Sequence, residues 1–419
     1  MRRVHLFKIS VFLLCVICLS FSNQLLIRAG STASLTFTEH IISTECDGAL
    51  HACTIDIDLD GDIDIVTTAS EGDKISLWKN NDYEFTEQII DDSFDEVIHI
   101  HAVDLDLDGD IDIMGGSQRG HELAWWKNED MSFTKQVLAT NIYGAQSLYS
   151  GDIDKDGDLD LFSTSKDDIS WWENDGHQTF TKHALISRTG ASGRGFLRYI
   201  FAVDLDNDAD LDFVCGDNVW MASAGEDTIY YWLNDGNQVF TQKTVEGVTY
   251  SQFHGFHAID LDQDGDFDLC ATSPDGNQID WFENDGQLNF AQHTITNTFE
   301  GANSVYPGDI DGDGDLDLLA AAYFDDKISW FENDGSQNFA EHVLRENFDG
   351  AQYCMLSDIN QDGQDDVVGL AWEGDEFAWW EQTTAKKTTS SGVASPGMEI
   401  IIVACMTAFL LRHNRKKVD

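Results

Sequence analysis

A chain of 419 residues, 42% of them apolar, has enough hydrophobic mass for one large core, which excludes a disordered acidic tail. Its 76 Asp and Glu against 24 Lys and Arg give a formal charge of -52, a balance that repels nucleic acid and anionic membrane surfaces and calls for bound cations. The sequence carries no nucleophile elbow, phosphate loop or dinucleotide fingerprint, so it points to no catalytic residue.

Residues 1–30 begin with Arg2 and Arg3 and continue through Ile9–Phe21, an apolar run of signal-peptide length, and are predicted to be a secretion signal. From 31 to 382 the chain repeats itself. An Asp-rich nonapeptide begins at Asp56, Asp104, Asp152, Asp204, Asp260, Asp309 and Asp358, at spacings of 48, 48, 52, 56, 49 and 49 residues. That period belongs to propellers and solenoids. Each unit reads as four strands. The first enters the Asp motif (His101–Val103, Ser304–Tyr306) and the second leaves it (Asp160–Ser165). The third carries an aromatic pair (Trp171–Trp172, Trp281–Phe282, Trp330–Phe331), and the fourth follows an Asn-Asp-Gly turn (Phe180–Leu185). One ring of each pair is expected to pack between neighbouring units instead of serving as a sugar platform.

The ends of the repeat decide between ring and open array. The last unit stops at Trp379-Trp380-Glu381-Gln382, without a fourth strand, while Leu35–Ile42 ahead of the first unit has the pattern of that missing strand. The predicted fold is therefore all-β: a seven-bladed β-propeller of four-stranded blades whose N-terminal strand closes the last blade and leaves no free sheet edge.

Six of the seven nonapeptides place a carboxylate at every second residue, and the seventh has Asn360 and Gln364 at two of those places. In chain order they are Asp56, Asp58, Asp60, Asp62 and Asp64; Asp104, Asp106, Asp108, Asp110 and Asp112; Asp152, Asp154, Asp156, Asp158 and Asp160; Asp204, Asp206, Asp208, Asp210 and Asp212. The last three are Asp260, Asp262, Asp264, Asp266 and Asp268; Asp309, Asp311, Asp313, Asp315 and Asp317; and Asp358, Asn360, Asp362, Gln364 and Asp366. Side chains at positions 1, 3, 5 and 9, with a backbone carbonyl at position 7, suit a hard cation that accepts about 6–8 oxygens, so up to seven Ca²⁺ are expected. Position 12 lacks the Glu of an EF-hand: Thr67, Gly115, Ser163, Cys215, Ala271, Ala320 and Gly369 stand there. Ala209 replaces the turn glycine of the fourth loop, which is expected to be strained.

Two irregular segments, 186–197 and 216–227, are expected to neighbour each other at blade 4 and to gather Arg188, Arg194, Arg198, Trp220 and Met221, a candidate site for an anionic group. His51, His101, Tyr149, Arg198, His254, His257 and Tyr306 are placed on inner strands, where His257 is a further candidate ligand residue at the channel mouth. Cys46 and Cys53 are able to form one local disulfide if the body lies outside the cell. Residues 383–397 form a Thr/Ser-rich linker. Residues 398–419 join an apolar run to Arg412, Arg415, Lys416 and Lys417, the pattern of a C-terminal membrane anchor or sorting signal.

The DxDxDGDxD loop, the short apolar strand after it and the segment I-S-W-[WF]-E-N-D-G-x-x-x-F resemble the FG-GAP/VCBS repeat family over residues 35–382. That family includes the integrin α-subunit propeller, seven-bladed fungal lectins and many microbial surface proteins. The resemblance implies a propeller with calcium in its loops and leaves the ligand open. The expectation is an extracellular binding or adhesion module at the cell surface, anchored through its C-terminal segment and recognising a glycan or a protein. The alternatives are a polysaccharide lyase or dehydratase acting on acidic sugars, or a structural surface-layer component.

Overall fold

The computed structural model describes residues 35–166, 168–187, 196–218, 228–248 and 253–384. Every regular element among the described residues is a strand, 28 in all, arranged in seven sheets of four. Blade 3 shows the plan. Its inner strand Leu148–Gly151, second strand Asp160–Thr164, third strand Asp168–Asn174 and outer strand Phe180–Ser187 pair antiparallel in that order. The second strands, such as Asp64–Ala69 and Asp317–Ala322, are buried at every residue. They have a strand on either side and a blade above and below, so both faces are apolar. Outer strands such as Phe290–Thr296 are mostly exposed.

Blade 7 is assembled from both ends of the body, as the sequence predicts. Ala351–Ser357, Asp366–Ala371 and Glu376–Thr384 form its inner three strands, and Leu35–Ser43 is the outer one. Across this seam the Thr36 hydroxyl donates to the Thr383 carbonyl at 3.1 Å.

The core is seven clusters, one between each pair of consecutive blades. Trp171 of blade 3 packs with Phe213 and Trp232 of blade 4, while its chain neighbour Trp172 packs with Met114 and Trp125 of blade 2. The final cluster joins Val368 and Trp379 of blade 7 to Ile65 and Trp78 of blade 1, which closes the ring. Both rings of a pair are thus buried, one against each neighbour, where the sequence reading expected one. Alternation along the third strand sends successive side chains to opposite faces of the blade, so a pair serves two interfaces.

The inner strands are not regular. Register shifts fall at Ala49/His51, Val97/His99, Arg198/Ile200, Ala302/Ser304 and Ala351/Tyr353. Such bulges turn extra side chains toward the axis of the ring. Cys46 and Cys53 are separate thiols and form no disulfide. Cys46 lies in the cluster between blades 7 and 1, whereas Cys53 packs on the inner strand against the cluster between blades 1 and 2.

Candidate metal centres and neighbouring surfaces

Each acidic loop is built the same way. The position 1 carboxylate accepts the N–H of position 6, at 3.1 Å from Gly61 and 3.0 Å from Gly265. The position 5 carboxylate accepts the N–H of position 7, at 2.9 Å from Asp62 and 3.0 Å from Asp315. The backbone is left-handed at position 4, where Leu59, Lys155 and Gln263 have φ of 57°, 63° and 60°. At position 6 it goes further, to 104° at Gly61 and 103° at Gly265. A Cβ at either glycine meets nothing within 4 Å, so the requirement is conformational and not steric. Ala209 keeps the turn at φ 73°, a left-handed angle that a side chain resists.

Position 9 does something the spacing alone did not reveal. Asp64, Asp112, Asp160, Asp212, Asp268, Asp317 and Asp366 are fully buried. One oxygen of each accepts the N–H of position 2; the other accepts the N–H of the residue that ends the third-strand aromatic segment. In blade 3 these bonds run from Ile153 at 3.2 Å and Asn174 at 2.8 Å; in blade 7 they run from Ile359 at 3.1 Å and Gln382 at 2.8 Å. The Asn side chain then returns the bond, with Asn174 Nδ2 donating to the Leu159 carbonyl at 3.0 Å. Loop and hairpin are stapled together. Burial pushes these carboxyl groups up, to about 6 at Asp64 and Asp160 and about 7 at Asp112 and Asp317. A cation seated beside them opposes that push.

Position 7 faces the hairpin as well. Asp62 accepts the N–H of Asp82 at 3.3 Å. In blade 6 a Cβ on Gly335 would stand 2.4 Å from Asp315 Oδ2. The glycine of the Asn-Asp-Gly turn is therefore fixed by the acidic loop, and the two repeated motifs are one unit.

What remains converges. Asp56, Asp58 and Asp64 bring carboxylate oxygens within 4.8 Å of one another, as do Asp104, Asp106 and Asp108, Asp152, Asp154 and Asp156, Asp204, Asp206 and Asp212, and Asp260, Asp262 and Asp268. Oδ1 of Asp58, Asp106, Asp152 and Asp309 is buried without a hydrogen-bond partner. Converging carboxylates with orphaned oxygens fit a hard divalent cation. The loops differ in one respect. Lys127 of blade 2 is paired with Asp106 and lies 3.1 Å from Asp108, and Lys79 of blade 1 reaches to 3.7 Å from Asp58. Blades 3, 5, 6 and 7 have Glu173, Glu283, Glu332 and Glu381 at that place.

Each of those Glu belongs to a repeated cluster. His183, His293 and His342 bond to Glu173, Glu283 and Glu332 at 2.8, 2.7 and 2.7 Å and stack on Trp171, Trp281 and Trp330. His40 and Glu381 repeat the arrangement on Trp379 across the seam. Between blades 5 and 6 the cluster opens into a cleft of about 560 Å³. Asp262, Glu283 and His293 line one wall, and Ser336, Gln337 and Asn338 of the next blade's turn line the other. Sequence reasoning missed this cluster. Its signal was the hairpin register, which sets Trp281 opposite His293 and Trp330 opposite His342.

Of the residues singled out at blade 4, Arg188, Arg194, Trp220 and Met221 lie outside the described residues. So do the segments 1–30 and 385–419, which include the predicted secretion signal and C-terminal anchor. Arg198 and His257 lie on adjacent inner strands. His257 packs with Phe201 and Tyr306, at ring distances of 5.0 and 5.2 Å. It is His254, and not His257, that lies within the field of Arg198; burial holds it at about 3.

Seven four-stranded blades in a closed ring, each carrying one acidic loop, define a β-propeller built on acidic-loop repeats. The FG-GAP-like repeat family matches residues 56–115, 104–163, 152–215, 260–320 and 312–369, more than half of the chain, and the chain belongs to that family. Among solved structures, a catalytically inactive virginiamycin B lyase from Staphylococcus aureus with quinupristin is similar at a TM-score of 0.56 and 14% identity, over 83% of this chain and 99% of that one. BBS1N in complex with ARL6DN is similar at a TM-score of 0.58 and 9% identity, over 84% and 97%. At these identities the likeness is one of fold alone. No curated protein matches the chain in sequence.

Proposed function

We propose that the chain is a calcium-stabilised extracellular binding module, displayed at the cell surface, that recognises a glycan. The observation that carries the reading is the cleft between blades 5 and 6. Its volume of about 560 Å³ falls in the range of ligand pockets. Its walls offer carboxylate, imidazole, amide and hydroxyl groups, the complement of a hydroxyl-rich ligand. Trp281 is only 4% exposed and its ring is covered by His293, so a sugar would meet the imidazole and not the indole.

The orphaned oxygens of Asp58, Asp106, Asp152 and Asp309 support calcium as the cation, since hard carboxylate oxygens in a flexible loop suit it. Calcium supplies charge compensation and holds the loops; the chain's own residues do the recognising. Asp262 belongs both to a loop and to the cleft, so filling the loop fixes one wall of the site. The basic and apolar start of the sequence, with Arg2, Arg3 and Ile9–Phe21, and the apolar run from Met398 followed by cations support export and anchoring.

The test is retention of the protein, with calcium, on a panel of neutral and acidic polysaccharides, followed by both bound fraction and chain length. Retention without shortening, weakened at least tenfold by Glu283→Gln, is expected. Shortened chains would overturn the binding reading in favour of a lyase. No retention on any member of the panel would overturn the glycan reading and leave a protein partner or a structural surface-layer role.

A further inference from the structure

In every blade but the fourth, a charged residue directly follows the third-strand aromatic segment and stands beside the acidic loop of its own blade. In blades 1 and 2 that residue is Lys79 or Lys127. The Lys79 ammonium lies 3.7 Å from Oδ2 of Asp58, at position 3 of the loop, and Oδ1 of the same carboxylate is the buried orphan. Lys127 is paired with the equivalent Asp106. A position 3 carboxylate therefore accepts an ammonium on one oxygen while the other is left to the loop.

Blade 5 reverses the charge. Glu283 stands where Lys79 and Lys127 stand, and Asp262 is its position 3 carboxylate. The change is concerted. Trp281 pairs with His293, whereas Leu77 and Trp125 of blades 1 and 2 pair with Gln88 and Gln136. Glu283 gives Oε2 to His293 and makes no other hydrogen bond among the described residues. Asp262 and Glu283 thus line one wall of the cleft between blades 5 and 6, and no Lys or Arg is among its described lining residues. Burial, together with like charges that include Glu283, pushes the Asp262 carboxyl above its ordinary value. The chain fills this place with its own ammonium in blades 1 and 2; in blade 5 it is open to the cleft.

We infer that the cleft selects a cationic amino sugar, a pyranose with a free primary amine, over neutral, N-acetylated and acidic sugars. The inference rests on the reading of the cleft as a glycan site. The ammonium sits between Asp262 and Glu283, where hydrogen bonds to carboxylates are charge-assisted. The ring hydroxyls meet the opposite wall, where the Ser336 hydroxyl and the Gln337 side-chain amide supply both donors and acceptors. The cleft's volume of about 560 Å³ admits the whole ring and not the amine alone. Acetylation removes the charge, and a uronate brings a third carboxylate to a wall without a cation. A lysine side chain offers the same ammonium but no hydroxyls for the far wall, so the sugar is favoured.

The test is titration calorimetry on the full chain in calcium at about pH 6.5, where a sugar amine is charged. The probes are the β-1,4 disaccharide of glucosamine, its N-acetylated form, cellobiose and lysine amide. The glucosamine disaccharide is expected to bind at least tenfold tighter than the N-acetylated form and cellobiose. Blades 3 and 6 carry the same two acids, Asp154 with Glu173 and Asp311 with Glu332, so the number of sites is read together with affinity. Glu283→Gln is expected to remove one amine-selective site. Glu283→Lys, which copies blades 1 and 2, is expected to do the same, both with an unchanged calcium-dependent melt. Asp92→Asn, at an exposed acid of blade 1, is expected to leave the isotherm as it was and so separates the site from bulk charge. Binding of the amine no tighter than its N-acetylated form overturns the inference and leaves the glycan reading standing; no binding of any saccharide overturns both. Lysine amide bound as tightly as the disaccharide overturns the sugar assignment in favour of a basic peptide. An amine isotherm that neither Glu283 variant changes, or that Asp92→Asn lowers equally, overturns the site.

Discussion

Withdrawal of calcium is the perturbation with the largest expected effect. Lys127 already sits on Asp106 and Asp108 of loop 2, which leaves six of the seven loops to gain from the metal. An extracellular module with Kd of about 10⁻⁴–10⁻³ M gains about 1.4–2.7 kcal/mol per site at about 10 mM free calcium. Six such loops give about 8–16 kcal/mol, comparable to the whole net stability of an ordinary domain at about 5–15 kcal/mol. Unfolding entropy of about 2.1 cal/mol/K per residue over roughly 350 residues is about 0.7 kcal/mol/K, so chelation lowers Tm by about 12–23 °C. The assay is differential scanning calorimetry in about 10 mM calcium chloride against excess EGTA, with sodium chloride added to equal ionic strength so that screening is matched. Equal melting temperatures in the two buffers would refute the metal assignment and leave the converging carboxylates as acidic turns.

Lys127→Met removes the ammonium that occupies loop 2, and is expected to add one calcium site or tighten one, read as stoichiometry in titration calorimetry. Gly335→Ala forces a Cβ to 2.4 Å from Asp315 Oδ2 at φ 72°; a cost of about 1–3 kcal/mol is expected from urea melts, and an unchanged melt would separate the turn from the loop. Burial holds His51 at about 3 against an ordinary 6.5, so the folded state binds fewer protons than the unfolded chain between those values. Stability that is complete above pH 6.5 is therefore lost as pH falls through that window, by about 1.4 kcal/mol per unit, and His51→Phe should flatten that part of the urea-midpoint profile between pH 7 and 5.

The sequence carried the ring in unusual detail because its informative residues recur at one spacing. Blade number followed from the seven nonapeptides, and closure followed from matching Leu35–Ile42 to the strand missing after Gln382. Roles that depend on register were harder to read. The Trp281, Glu283 and His293 cluster joins residues on two strands, and only the hairpin pairing puts them together. Links between loops were hidden for another reason: their residue types vary. Lys155 donates to the Ala209 carbonyl at 2.6 Å, and Gln263 to the Gly314 carbonyl at 2.7 Å, both from position 4 to position 6 of the next blade. Chemically different side chains do one job there, so repetition gives no signal. The axis residues were least legible. They occur once each, and bulges at five inner strands turn them by amounts that alternation does not predict.

The seam of blade 7 also decides how the body answers mechanical force. Leu35–Ser43 lies beside Glu376–Thr384, and Thr36 meets Thr383, so the two ends leave the ring at one corner. A pull that separates those ends loads the seam bond by bond from that corner and peels it like a zip. A pull that enters through Thr384 alone acts along a strand held on one side by Asp366–Ala371 and on the other by Leu35–Ser43, and loads both ladders in shear at once. The same strand is thus weak against one direction of load and strong against the other, and a body tethered by a single end feels only the strong one.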